Sequence, residues 1–162
     1  MKNVVKERHS QNNALIMLFV YIISGAIIGL FVSFGSLAIL RNRSGSIVEL
    51  SPFWDSFRLN FTLDTIIICV NIALLLGLLI AYKRDYKETQ SPFLLGLVIF
   101  LLVLFVQSLL SLPILNMLVS IIEIGRQGAL NIFLTYKSSI FGIISHFFET
   151  MALMILFYLS RE

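Results

Sequence analysis

The residues predict an all-α integral membrane protein, a four-transmembrane-helix bundle with short loops. Three observations carry that prediction. Of the 162 residues 58% are apolar and 13% charged, with a mean hydropathy of +0.94, whereas charged residues alone make up about 25% of a soluble domain. Four apolar stretches, 14–40, 61–82, 93–115 and 139–159, each supply the ~20 helical residues that cross a ~30 Å hydrocarbon layer. No connection between them is large enough to fold as a soluble domain. The chain therefore reads as a polar, basic N-terminal tail, 1–13, and a single transmembrane domain, 14–162.

The tail carries Lys2, Lys6 and Arg8 and is expected to be disordered or to lie against headgroups. A basic start before an apolar run also fits a signal peptide, but the run from Ala14 exceeds the roughly 7–15 residues of a signal core. It is read as a retained helix. Within it Gly25, Gly29 and Ser33 recur every four residues, a stripe that lets another backbone come close. Helix packing is its first reading and a ligand groove the second.

Loop one, 41–60, is the longest connection. Ser51-Pro52 looks like an N-cap followed by proline at the first helical position. Phe53, Trp54 and Phe57 then make an aromatic face. This segment is expected to form a short interfacial helix with these three as anchors, because Trp favours the headgroup level; a partner-binding surface is the alternative. Loop two, 83–91, is short and charged, so spans two and three should form an antiparallel hairpin. Ser91-Pro92 repeats the cap-and-proline start. Pro113 should kink or end the third span, and the Gly125-Arg126-Gln127-Gly128 turn breaks the chain before the fourth. The stretch 129–138 has helical spacing and either lies in the interface or extends the last helix.

Four crossings place both termini on one side. Seven of the twelve Lys and Arg residues fall on that side, which favours cytoplasmic termini. Two glycosylation-type triplets, Asn42-Arg43-Ser44 and Asn60-Phe61-Thr62, agree with an outward loop one. The net charge of +3 is spread over short loops, giving no nucleic-acid footprint. Cys69, the single cysteine, can form no internal disulfide and reads as a small apolar filler.

The candidate site comes from counting depth along each span at ~1.5 Å per residue. Glu149 and Asn71 fall near the midplane; His146 and Gln107 fall about one turn from it toward loops one and three. Ser111 and Asp64 lie further the same way. An ionisable group at that depth costs at least ~2.5 kcal/mol on insertion scales, so it faces protein or trapped water. Asp64 and Asn71 are two turns apart, Gln107 and Ser111 four residues, His146 and Glu149 three. Each helix can thus turn one polar stripe inward, and together they would line a polar cavity opening toward loops one and three. For Asn71, Gln107 and Ser111 interhelical hydrogen bonding alone is the first reading, whereas for Glu149 with His146 function and packing stand level.

His146-x-x-Glu149 could share one ion, but carboxylate-bridged di-metal bundles need such a pair on two helices plus further Glu, and Asp64 is the only other intramembrane carboxylate. One intramembrane His excludes a bis-histidine haem within the chain. Ser145 and His146 are sequence neighbours and point about 100° apart on a helix, so no triad forms. Neither a metal nor a cofactor is expected. The expected role is a non-enzymatic accessory or sensory subunit acting through helix contacts, its partners the lipid bilayer and a homo-oligomer or larger membrane complex. A proton-relay or transport unit using Glu149, His146 and Asp64 is the alternative, and a membrane enzyme with metal or quinone ranks third.

The unit 74–105, an apolar helix running through Ala81-Tyr82-Lys83-Arg84 into a short basic loop and a second helix, resembles uncharacterised archaeal small membrane proteins. It also resembles the membrane sensor regions that precede some archaeal histidine kinases, and the ending Glu149…Leu156-Phe157-Tyr158-Leu159-Ser160 adds to the likeness. The resemblance covers roughly the last two-thirds of the chain. It implies a membrane sensor whose output belongs to a partner protein, and it assigns no role to any single residue.

Overall fold

A computed structural model describes residues 2–44, 54–113, 115 and 140–159. They form four helices: α1 (Lys2–Ser44), α2 (Trp54–Thr89), α3 (Pro92–Leu110) and α4 (Ile140–Leu159). Three of them, α1, α2 and α3, are long and apolar enough to cross a membrane; the apolar part of α4, Gly142–Tyr158, is shorter.

The helices extend beyond the apolar stretches that nucleate them. Residues 2–13, expected to be disordered or to lie against headgroups, continue α1 from the first span. Neither Gly nor Pro occurs before Gly25, and extending an existing helix is far easier than starting one. Loop one shrinks from both ends, because α1 runs to Ser44 and α2 starts at Trp54. Residues 54–60 are therefore the first turns of α2 and not a separate interfacial helix. Phe57 is a correction too. Only 7% exposed, it stacks on Phe61 one turn away, with ring centroids 5.7 Å apart. Burial inside the bundle outweighs a place among the headgroups. Phe53, Ser51-Pro52, the side chain of Trp54, the Gly125–Gly128 turn and 129–138 lie outside the described residues or side chains.

Helix α2 is the hub, in contact with each of the other three. Against α1 it runs antiparallel: Gly25 faces Val70, Gly29 faces Ile66, and Ser33 hydrogen-bonds Thr62. A β-carbon on Gly25 or Gly29 would lie 2.7 Å from the Val70 or Ile66 Cα. These glycines thus set how close the two backbones come, and α2 fills what a ligand groove would need. Cys69 is buried here, its Cβ beneath Gly29.

Only Gln90 and Ser91 separate α2 from α3. Gln90 takes the left-handed conformation, φ 49°, and its N–H donates to the Tyr86 carbonyl at 2.8 Å, a helix-ending geometry that glycine adopts more easily. Ser91 then occupies the N-cap position before Pro92, although its hydroxyl makes no capping bond. Helix α3 stops at Leu110, three residues short of Pro113. Proline forces its predecessor out of helical conformation and offers no N–H to the Leu109 carbonyl, which instead accepts from Leu112 at 3.2 Å.

Helix α4 lies parallel to α2, since Thr150 meets Asn71 and Phe157 meets Gly77. The start of α1 and the end of α4 consequently share one end of the bundle. Near that end Leu74, Leu75, Leu78, Leu101, Leu153 and Phe157 form the apolar core, with Tyr21 edge-on to Phe157 at 5.5 Å. Outer faces carry large apolar side chains, among them Phe31, Phe93, Phe100, Phe148 and Ile155, as a surface bathed in acyl chains requires.

Candidate functional site

Moving from the apolar core toward the other end, where α1 finishes and α2 begins, the interior turns polar. Ser33 and Ser36 of α1, Asp64, Thr65 and Asn71 of α2, Ser108 of α3 and Thr150 of α4 are all buried. Several hydroxyls are satisfied locally: Thr65 donates to the Phe61 carbonyl at 2.7 Å and Ser36 to that of Val32 at 2.6 Å. The remainder join helices.

Asn71 is wholly buried and clasps α4. Its Nδ2 donates to the His146 carbonyl at 3.3 Å, and its Oδ1 lies 2.5 Å from the Thr150 hydroxyl. That hydroxyl is also 2.8 Å from the His146 carbonyl, with one proton to give between the two acceptors. The amide thus meets α4 through a backbone carbonyl and a hydroxyl, which fixes that helix's height and rotation on α2.

Glu149 is the junction between α4 and α3. Its Oε1 accepts from the Ser108 hydroxyl at 3.1 Å. Its Oε2 faces His146 Nδ1 at 3.3 Å, an ion pair when the imidazole is protonated. Both side chains keep about a fifth of their surface accessible, 19% for His146 and 20% for Glu149. Asp64 is buried, on the His146 side of Asn71 and within electrostatic range of that imidazole.

Glu149, His146 and Asn71 are therefore drawn together, with buried Asp64 within electrostatic range of the imidazole. Gln107 and Ser111 are not. Gln107 is exposed, and the Ser111 hydroxyl donates back to the Gln107 carbonyl of its own helix at 2.9 Å. The reason is rotational: neighbours on a helix point about 100° apart, so turning Ser108 inward leaves Gln107 outside. Sequence reasoning missed Ser108 and Thr150. Thr150 was findable, because it lies four residues after His146, on the stripe that holds Glu149. Among the described residues no group of three His, Cys, Asp or Glu stands close enough to hold a metal ion. Gly25, Gly29 and Ser33 pack α1 on α2 and take no part in the cluster.

An all-α bundle whose long helices are apolar outside and polar at selected points inside is a multi-pass membrane protein. The chain belongs to the family of unknown function DUF8036, whose model matches residues 60–161. The matched stretch holds α3, α4 and α2 from Asn60 onward, hence the whole Asp64–Asn71–Ser108–His146–Glu149–Thr150 cluster, while α1 precedes it. No curated protein and no solved structure is significantly similar to the chain.

Proposed function

We propose that the chain is a non-enzymatic membrane subunit that crosses the bilayer four times, keeps both termini on the cytoplasmic side and works through lateral helix contacts with a second copy of itself. Gln107 carries this reading. Its amide is exposed, yet its neighbour Ser108 bonds Glu149, the midpoint of α4, so the amide sits at mid-depth. It belongs to an outward stripe at helical spacing: Gly96, Phe100, Val103, Gln107 and Leu110 are all exposed. Gly96 has open space where a side chain would be. An amide left facing acyl chains forfeits hydrogen bonds at about 1–3 kcal/mol. A primary amide donates and accepts alike, so the same stripe on another copy is self-complementary across a two-fold axis. A sensory role, in which a proximal partner reads the state of such an assembly, fits the same surface. Transport across the whole bilayer fits less well, because Leu74, Leu75, Leu78, Leu101, Leu153 and Phe157 close the interior on the side of the chain termini.

The test is self-association in lipid vesicles, followed by energy transfer between labelled copies. One interhelical hydrogen bond in a membrane contributes about 0.6 kcal/mol and at most ~1.7, so Gln107→Leu should weaken association by about 3- to 18-fold. A monomeric native chain at high protein-to-lipid ratio, or unchanged association of the variant, would remove the basis of the proposal.

A further inference from the structure

We infer that His146 and Glu149 form a proton-binding site reached from only one end of the bundle, the end where α1 finishes and α2 begins. The acid and the imidazole touch at 3.3 Å, remain partly accessible, and sit at the boundary between two unlike halves of the interior. Toward the entry end lie Asp64, Thr65, Ser33 and Ser36, the acid within electrostatic range of His146. Toward the other end stand Leu74, Leu75, Leu78 and Leu101, none with any exposed surface, then Leu153 and Phe157 at 3% or less. The first half offers buried hydroxyls and a carboxylate, whereas the second is an apolar layer with the Tyr21 and Tyr82 rings packed against its margin.

Among the described residues the groups that face this pair are few. Helix α2 brings Asp64 and the buried thiol of Cys69; α3 brings no ionisable side chain, and α1 none between Tyr21 and Arg41. Gain or loss of a proton on the His146–Glu149 pair changes the charge at mid-depth, where lipid cannot solvate it. Loading therefore has a structural consequence. The bond from Ser108 to an ionised carboxylate is charge-assisted and roughly twice as strong as one to a neutral acid. That bond joins α3 to α4, so a proton arriving on Glu149 loosens α3 from α4. The site acts as a one-sided proton sensor and not as a channel.

The experiment uses the full chain in lipid vesicles sorted by whether a C-terminal tag is accessible. Infrared difference spectra are recorded as the external pH is stepped, with a trapped dye confirming that the lumen has not yet changed. A carboxylic-acid carbonyl band should appear in the population whose entry end faces the stepped medium and be missing from the other. Glu149→Gln should abolish it, Asp64→Asn should leave it, and Ser108→Ala should keep it at a displaced frequency. The Ser108 variant keeps the assignment testable if Glu149→Gln does not fold, because an undisplaced band there means that the titrating acid is not the one bonded to Ser108. Equal bands in both populations overturn the one-sided access. A band surviving Glu149→Gln, or no band at all, overturns the site.

Discussion

Placing a methyl group on Gly25 tests the packing of α1 on α2 most directly. Its carbon would lie 2.7 Å from Val70 Cα and 2.9 Å from the Cys69 carbonyl oxygen, whereas carbon atoms at ease sit ~3.5–4.0 Å apart. Both neighbours are backbone, so no rotamer change can relieve the clash and α1 must retreat by roughly 1 Å to regain that spacing. Two turns along, the Ser33–Thr62 bond of 2.9 Å would then stretch beyond hydrogen-bonding distance. Overpacking of this kind costs about 1–3 kcal/mol, and the lost bond about 0.6 more. Alanine's better helix propensity returns about 0.5–1 kcal/mol, leaving Gly25→Ala about 1–3 kcal/mol less stable. Gly35→Ala supplies the control, because nothing lies within 4 Å of a β-carbon there; it should be neutral or gain about 0.5–1 kcal/mol. Reversible unfolding in mixed micelles, followed by circular dichroism, measures both. Should the two variants shift stability alike, the glycines do not set the α1–α2 distance and the packing account fails.

Other positions give sharp expectations. Asn71→Leu removes both clasps on α4 and leaves the His146 carbonyl with one polar neighbour fewer, so stability should fall by about 1–3 kcal/mol; unchanged protease resistance of α4 would contradict this. Phe57→Ala should cost about 3–5 kcal/mol if the ring is core, as its burial on Phe61 indicates, against little for a headgroup anchor, a distinction thermal unfolding in micelles resolves. Gln90→Gly should stabilise by about 1 kcal/mol, since only a residue without Cβ adopts φ 49° without strain; a loss of stability would mean that the Gln90 side chain matters more than its backbone.

Much of the fold is legible because its physics is local. Helix positions follow from where charges stop, and the described part of α4, Ile140–Leu159, falls within the apolar stretch 139–159. The helix-ending effect of Pro113 and the α1–α2 stripe are similarly local, one a matter of backbone geometry and the other of residue size. Helix length was less legible at Lys2 and Trp54, where polar and aromatic residues carry the helix past the membrane boundary. Hydropathy reports depth, and it is silent on whether a helix continues into water.

By itself the sequence determined that the chain is a multi-pass membrane protein, that its long apolar stretches become helices, and that His146 and Glu149 share a helix face. These follow from composition and from spacing along one helix, where 3.6 residues make a turn. What only the tertiary structure decided is rotation and partnership: that Ser108 and not Gln107 meets Glu149, that Thr150 answers Asn71, and that α2 is the hub. Helix α3 explains why. Apolar on every side except at Gln107 and Ser108, adjacent residues that point apart, it has no hydrophobic stripe to mark an inner face. In lipid the acyl chains are as apolar as leucine, so its orientation had to come from the neighbours it packs against.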